Sequence, residues 1–369
     1  MKKLILLLLF IPLVSCQDVE VRKTYYPAGA LASTANYVNS ILQGEKKNYY
    51  ESGVLKSTLN YVDGLRQGEW KFYWESGELK YTENYINDLK QGEWKFYWES
   101  GELQYTRNYV DGLRQGEWKS YYESGELQST VNYVNSKLQG EKKNYYESGV
   151  LRSIVNYVDD LRQGEWKYYY ESGELQSTVN YVNSAMQGEY KGYYKSGELN
   201  RTANYVNSIL QGEKKNYYES GVLKSTLNYV DDLIQGEWKY YYESGELERT
   251  ENYVDGLAQG EWKYYYKSGE LKRTENYGNL CLLSITNYSQ NGNRINETDN
   301  FGKECGDYGS TFTTFYENGN IKSEKEMNYE SVGYVEYYIN GQEKIEWFKG
   351  IETDESSCWD EDGNKIECN

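Results

Sequence analysis

The chain contains no histidine and only two prolines, and each scarcity argues against a class of site or of protein. Without histidine, the commonest general base and the commonest metal ligand are missing, so we predict no catalytic site, no metal site and no cofactor. The low proline content and 44 tyrosines are not the composition of a disordered chain. The formal net charge of −17 disfavours nucleic acid as a partner, because binding phosphates requires clustered lysine and arginine.

The amino-terminal segment has the pattern of an export signal. Lys2 and Lys3 precede an apolar run over residues 4–14, which is too short for a transmembrane helix. The stretch that ends in Ser15 and Cys16 resembles the lipobox of bacterial lipoproteins, in which the cysteine is acylated. We therefore expect lipidation at Cys16, membrane attachment through that lipid anchor, and a location in the bacterial cell envelope, at the outer membrane or cell surface.

A 24-residue repeat dominates the remaining sequence. Gln-Gly pairs recur at this step from Gln43-Gly44 to Gln259-Gly260, and a second glycine recurs in the same register from Gly29 to Gly269. Residues 34–63 are identical to residues 202–231, seven repeats further on. Copying of one unit therefore built this array.

Each repeat reads as a β-hairpin. In residues 68–91, the aromatic-rich run 69–74 predicts one strand, the turn 75–77 contains glycine, and residues 78–86 predict a second strand before a longer turn over residues 87–92. Apolar residues do not recur at helical spacing. We therefore predict an all-β fold: an elongated array of antiparallel hairpins in a single-layer twisted sheet, with a wound β-solenoid as the alternative topology.

The repeated pattern resembles a known family. The run G-E-W-K-x-Y-x-E-S-G-E-L, followed by T-x-N-Y and Q-G, is similar to the bacterial variant of the MORN repeat, which occurs in so-called antitoxin repeat proteins. The resemblance implies an all-β repeat scaffold. An antitoxin role would suit a cytoplasmic protein better than one with an export signal.

Alternate residues of the first strand differ in how strictly they recur. Glu69, Lys71 and Tyr73 have the same residue type in all ten units, so this face is predicted to be the structural one. Trp70 and Phe72 lie at positions that vary. Six tryptophans at the variable position either cover the sheet or form an exposed stripe that binds a protein or glycan: Trp70, Trp94, Trp118, Trp166, Trp238 and Trp262.

The carboxyl-terminal part loses the strict register and reads as a cap of degenerate hairpins that protects the last sheet edge. Its four cysteines are Cys281, Cys305, Cys358 and Cys368. In an exported protein they predict two disulfides with three conceivable pairings, of which Cys281–Cys305 and Cys358–Cys368 are the local ones.

These observations predict a non-enzymatic envelope lipoprotein that acts as an elongated protein- or glycan-binding scaffold. An immunity or antitoxin-like protein that neutralises a toxin is the alternative. The predicted organisation is a signal peptide at residues 1–15, an anchor and linker at 16–25, the repeat array at 26–280 and the cap at 281–369.

Overall fold

A computed structural model describes residues 19–278, 281–300, 309–328, 331–349 and 354–368. Within these ranges every regular element is a β-strand and neighbouring strands pair antiparallel, which confirms the predicted all-β fold of repeated hairpins. None of the described residues forms a helix long and apolar enough to cross a membrane. The chain divides into two compact units: the first comprises Met1–Gln163 and Glu171–Gly173, the second Gly164–Tyr170 and Glu174–Asn369.

In the first unit each long strand pairs with the long strands of that unit that are its neighbours in chain order, and each two-residue strand pairs with the long strand that precedes it. Its strands are β1 (Val19–Tyr25), β2 (Leu31–Val38), β3 (Ile41–Tyr49), β4 (Leu55–Val62), β5 (Leu65–Arg66), β6 (Gly68–Tyr73), β7 (Leu79–Ile86), β8 (Leu89–Lys90), β9 (Gly92–Tyr97), β10 (Leu103–Val110), β11 (Leu113–Arg114), β12 (Gly116–Tyr121), β13 (Leu127–Val134), β14 (Lys137–Leu138), β15 (Gly140–Tyr145), β16 (Leu151–Val158) and β17 (Leu161–Arg162).

The second unit continues the same pattern and ends in hairpins that depart from the 24-residue spacing. Its strands are β18 (Gly164–Tyr169), β19 (Leu175–Val182), β20 (Ala185–Met186), β21 (Gly188–Tyr193), β22 (Leu199–Val206), β23 (Ile209–Leu210), β24 (Gly212–Tyr217), β25 (Leu223–Val230), β26 (Leu233–Ile234), β27 (Gly236–Tyr241), β28 (Leu247–Val254), β29 (Leu257–Ala258), β30 (Gly260–Tyr265), β31 (Leu271–Gly278), β32 (Cys281–Tyr288), β33 (Arg294–Asn300), β34 (Gly309–Phe315), β35 (Ile321–Asn328), β36 (Val332–Tyr337), β37 (Glu343–Lys349), β38 (Asp354–Trp359) and β39 (Lys365–Ile366).

The glycine-containing turn closes the hairpin of each repeat. Between β6 and β7 the amide of Trp74 donates to the carbonyl of Glu78 at 2.8 Å, and that of Gly77 donates to Trp74 at 3.0 Å. Gly77 has a φ of +93°, a left-handed conformation that a residue without a Cβ adopts at low cost. The repeating glycine of this turn therefore has a backbone role.

The predicted longer turn over residues 87–92 is wrong. Ile86 pairs directly with Leu89, so only Asn87 and Asp88 form the loop, and both have positive φ values of 47° and 69°. These are the dihedral signs of a type I′ turn, whose twist matches that of the strands it joins. Gln91 lies between β8 and β9 and forms a bulge that separates these two strands.

The core lies on one face of the sheet. Trp70 and Tyr85 are 9% and 4% exposed, and Trp94 and Tyr109 are 3% and 7% exposed. Their rings alternate across the strands at centroid distances of 5.1 Å for Trp70–Tyr85, 5.4 Å for Tyr85–Trp94 and 4.8 Å for Trp94–Tyr109. In the described strands of the first unit, these aromatic residues thus bury one another sideways, ring against ring.

The face of Glu69, Lys71 and Tyr73, which the sequence predicts to be the structural one, lies opposite the hydrophobic core. Lys71 and Glu69 pair along the strand at 3.0 Å, with 41% and 47% of their side chains exposed. Residues two apart in a strand share a face, so each repeat can form this pair with the same geometry. Exposed pairs of this kind contribute little to stability.

Candidate interaction surface

The invariant glutamine of each repeat holds the next type I′ turn. The amide of Asn87 donates to Gln67 Oε1 at 2.9 Å, and the amide of Asp111 donates to Gln91 Oε1 at 2.8 Å. The same bond joins Asp231 to Gln211 and Asp255 to Gln235 in the second unit. Gln-Gly therefore recurs because its side chain fixes the following turn in space.

The second residue of each turn makes a further bond to the preceding repeat. The amide of Met186 donates to Ser208 Oγ at 2.8 Å, and that of Leu210 donates to Asp232 Oδ1 at 2.6 Å. In return, the amide of Asp232 donates to the carbonyl of Leu210 at 3.1 Å. Successive turns within each unit therefore form one continuous, hydrogen-bonded edge.

Aliphatic side chains stand exposed along this edge. In the second unit they occupy the residues that flank three successive turns, with exposed fractions of 40–48%. Leu233 reaches toward the next turn, because its Cδ2 lies 3.6 Å from the position that a Cβ on Gly256 would take. We call this set the turn row, and it consists of Val206, Ile209, Val230, Leu233, Val254 and Leu257.

The first unit has an equivalent edge with different charges around it. Its aliphatic residues are exposed to a similar degree, as for Ile86 and Leu89 at 50% each. Arg66 comes one residue after a position that corresponds to a turn row residue, and it forms an ion pair with Asp88 at 2.9 Å. In the second unit the corresponding positions hold Met186, Leu210, Ile234 and Ala258.

The six tryptophans do not form an exposed stripe. Trp166 is 5% exposed, and Trp70 and Trp94 are likewise buried, while Trp118, Trp238 and Trp262 are half-buried. The indole N–H groups of Trp70 and Trp262 donate to the carbonyls of Asn60 and Asn252, at 2.9 and 3.1 Å. The expectation of an accessible aromatic platform is therefore wrong, and these residues cover the sheet.

The repeats match a known family model. The model described as "MORN repeat variant" matches residues 21–39, 42–63, 66–87, 90–111, 114–135, 138–159, 162–183, 186–207, 210–231, 234–255, 258–279 and 310–329. The chain belongs to this family. The last matched segment extends the MORN assignment into the region predicted to be a degenerate cap.

Comparison with other proteins adds no function to this MORN repeat chain. No curated protein matches it. The crystal structure of TcdB2-TccC3-TEV is similar to 96% of this chain at 11% identity with a TM-score of 0.18, and this chain spans 23% of that chain's length. A porin-like protein from Bacteroides uniformis ATCC 8492 is similar to 78% of this chain at 12% identity, with 93% of its own length covered and a TM-score of 0.15.

Two MORN repeats of the second unit carry buried carboxylates at a position where most other repeats have alanine, valine or leucine. Glu251 is 6% exposed and accepts hydrogen bonds from Arg249 Nε at 2.6 Å and Tyr253 Oη at 3.0 Å. Glu275 is 3% exposed and accepts from Tyr264 Oη at 2.9 Å and from Tyr277. Burial, together with the nearby charge of Glu251, raises the pKa of Tyr253. Both carboxylates are therefore held by hydrogen bonds within the sheet.

The carboxyl-terminal hairpins contain a disulfide and a cavity. Cys358 and Cys368 are bonded, as the local pairing predicts, and Cys281 is also in a disulfide, whereas Cys305 lies outside the described residues. A cavity of about 490 Å³ is lined by the carboxylates of Glu324 and Glu346, among other residues. No group of side chains in the described part of the chain is arranged to hold a metal ion.

Sequence reasoning missed the turn row. Its signal was present, since valine or isoleucine precedes each turn and an aliphatic residue usually follows it, as in Val230 and Leu233. A long turn over residues 87–92 would place Leu89 and its equivalents in a loop. The two-residue turn instead pairs them across the strands and exposes them together.

Proposed function

We propose that this MORN repeat protein is a non-enzymatic, lipid-anchored scaffold of the bacterial cell envelope that binds a protein partner along its repeats. The observation that carries the proposal is the row of exposed aliphatic side chains at the type I′ turns. Contiguous exposed apolar surface on a folded protein marks an interaction site more often than isolated apolar residues do.

A protein partner is favoured over a glycan by the burial of the tryptophans. Sugars are commonly held by exposed aromatic faces, whereas Trp94 and Trp166 are 3% and 5% exposed. The accessible apolar groups are valine, leucine and isoleucine, which complement other aliphatic side chains. An enzymatic role has no support in the repeats, because copied units present like groups at intervals, whereas catalysis combines unlike groups.

The envelope location rests on the sequence around Cys16. This residue lies outside the described part of the chain, so its lipidation is argued from the charged start, the short apolar run and the position of the cysteine. Strand β1 begins at Val19, three residues after Cys16, so an acylated cysteine would place the first strand directly at the membrane surface.

The test combines lipid labelling with partner capture in the native bacterium. Cells that express the full chain or its Cys16→Ala variant are fed an alkyne-tagged fatty acid and fractionated. We expect label and membrane association for the parent only. Cross-linking at the cell surface should then recover one protein with the parent and much less of it with the variant Leu65→Ala, Leu89→Ala, Leu113→Ala, Leu233→Ala, Leu257→Ala.

Three outcomes would contradict the proposal: an unlabelled parent in the soluble fraction, capture that is unchanged in the variant, or capture of glycan alone. Recovery of a toxin whose activity falls on binding would instead support the antitoxin-like function. The variant is expected to fold, because the repeat at Ala185 already has alanine at the substituted position.

A further inference from the structure

We propose that the turn row of the second unit binds a basic amphipathic α-helix of the partner, with aliphatic residues that recur every seven positions. The inference rests on the proposed function, since it names the class of segment that the scaffold recognises. Three features of the turn row support it: its exposure, its spacing and the charges around it.

The turn row has apolar surface available for a partner. Its six side chains are 40–48% exposed, so that each retains a substantial part of its surface for further burial. Val230 and Leu233 are cross-strand partners and lie side by side, as do Val206 and Ile209. Each turn therefore presents a pair of aliphatic groups rather than a single one.

The spacing of these pairs fits a helix better than an extended chain. Two strands per repeat place equivalent residues such as Ile209, Leu233 and Leu257 about 10 Å apart. Seven residues of an α-helix rise about 10.5 Å and return to nearly the same side. An extended chain covers this distance in about three residues, and residues three apart point to opposite faces, so it could not engage successive pairs.

The charges around the turn row favour a basic partner. Residues 182–186, 206–210, 230–234 and 254–258 contain three aspartates and no lysine or arginine. The lysines of the adjoining strands on the same face are each paired with the glutamate two residues before them, at 2.7–3.0 Å: Lys191, Lys215, Lys239 and Lys263. A helix with lysine or arginine beside its aliphatic stripe therefore meets unopposed negative charge at Asp231 and Asp255.

The experiment measures binding of labelled synthetic peptides to the full mature chain by fluorescence anisotropy at low ionic strength. The probe is a peptide of about 21 residues with leucine at heptad spacing and lysine on the flanks. One control peptide has the same composition with leucine at every second position of a short segment, and another has glutamate in place of lysine. We expect the probe to bind at least about tenfold more tightly than either control.

Three variants of the chain locate the site. Ile209→Ala, Leu233→Ala, Leu257→Ala together should weaken binding at least about tenfold, because three apolar contacts are lost. Asp231→Asn with Asp255→Asn should weaken it about threefold and reduce its salt dependence. Other repeats have asparagine at this turn position, so the fold tolerates it. Glu219→Gln with Glu243→Gln removes equal charge at the opposite turns and should change binding less.

The proposal is overturned if the row variant binds the probe as tightly as the parent, or if a control peptide equals the probe. An equal loss in the Glu219 and Glu243 variant would show general charge attraction instead. Row-dependent binding to phosphatidylcholine vesicles, or a row-dependent dimer in sedimentation, would identify another occupant. The proposed function itself fails separately, if the native envelope yields no partner even though the peptide binds.

Discussion

At the scale of single residues, a tyrosine that recurs in most of the MORN repeats hydrogen-bonds to the backbone of the neighbouring repeat. Tyr50 Oη donates to the carbonyl of Tyr73 at 2.8 Å, and Tyr122 Oη donates to that of Tyr145 at 2.8 Å. Trp74 and Trp98 replace this tyrosine in two repeats, and their buried indole N–H groups have no partner among the described residues. These two repeats therefore lack the hydrogen bond to the next repeat that the tyrosine makes elsewhere.

Restoring the tyrosine should therefore stabilise the protein. We expect Trp98→Tyr to raise the free energy of unfolding by about 1 kcal/mol, because a buried donor without a partner is replaced by a hydroxyl that reaches the next carbonyl. Tyr122→Phe is the matched control and should lower it by about 1 kcal/mol. Urea denaturation followed by tryptophan fluorescence and circular dichroism measures both. A destabilised Trp98→Tyr variant would show that indole packing outweighs the missing bond.

Two carboxyl groups of the first unit should influence stability with opposite dependence on pH. Burial raises the pKa of Glu83, so folding favours its protonated form. Its contribution to the free energy of unfolding is therefore greatest below about pH 4.3 and falls as pH rises. The amide and guanidinium of Arg66 lower the pKa of Asp88, so its contribution is present above about pH 3.9 and is lost as pH falls.

Denaturation of single variants between pH 3 and pH 7 tests this pair. Glu83→Gln should gain stability relative to the parent as pH rises from about 4 to about 7. Asp88→Asn should be less stable than the parent at pH 7, and the difference should shrink below about pH 4. Parallel pH profiles for both variants and the parent would contradict the assignment of these shifts.

At the scale of elements, the type I′ turns combine backbone strain with a compensating bond. Ser208 has a φ of +69°, which is unfavourable for a residue with a side chain, while its hydroxyl accepts the amide of Met186. Gly64, Gly112 and Gly256 occupy the same turn position without a side chain. The repeats thus show two solutions to the same geometry: one is strained and gains a side-chain hydrogen bond, and the other is relaxed and keeps only the backbone bond to the preceding repeat.

The balance between the two solutions can be measured at Ser208. Ser208→Ala keeps the strain and removes the bond, so we expect a loss of about 1 kcal/mol in the free energy of unfolding. Ser208→Gly removes both and should stay within about 0.5 kcal/mol of the parent. The midpoint of urea denaturation distinguishes them. Equal losses for alanine and glycine would mean that the left-handed conformation costs little at this turn.

The sequence predicted the period, the hairpins and the glycine turn, because these depend on local conformational preference. It did not predict which face is the core. Glu69 and Lys71 recur unchanged although they are half-exposed, since copying preserves surface residues as well as buried ones. Trp70 varies although it is buried, because Lys214 can occupy the same position with its Nζ 5.9 Å from the centroid of the Tyr229 ring. In an array of copied repeats, a residue that recurs unchanged is therefore not necessarily buried.

The candidate surface was less predictable than the fold. The turn row depends on the two-residue loop, and aspartate or serine in its second position is a weaker signal for a type I′ turn than glycine. The bonds from Gln67 and Gln91 to the next turn join residues 20 positions apart. Contacts at that separation can be recognised only after the strands have been paired.

At the scale of the whole molecule, the repeat is the unit that can be removed without loss of pairing. Deleting residues 92–115 removes one whole repeat and joins Gln91 to Gly116. The spacing between each remaining glutamine and the turn that it binds is unchanged. We expect this variant to fold, with native circular dichroism and lower stability, since a repeat array gains stability from each interface between neighbours.

Deleting residues 92–114 is the matched control. It leaves one extra residue between the joined repeats, which would turn each following side chain to the opposite face of the sheet. We expect loss of cooperative unfolding or aggregation from this variant. Similar denaturation curves for the two deletions would show that the register between neighbouring repeats is not held by the glutamine and turn bonds.

The meander of strands also determines how each unit responds to tension. Because each long strand is bonded only to the strands that precede and follow it among the described residues, a pull on the chain would load the hydrogen bonds of the outermost hairpin one after another. Each released repeat would add up to about 80 Å of extended chain. A protein tethered at one end and bound at the other would therefore lengthen in steps under force, and retain its remaining repeats while it does so.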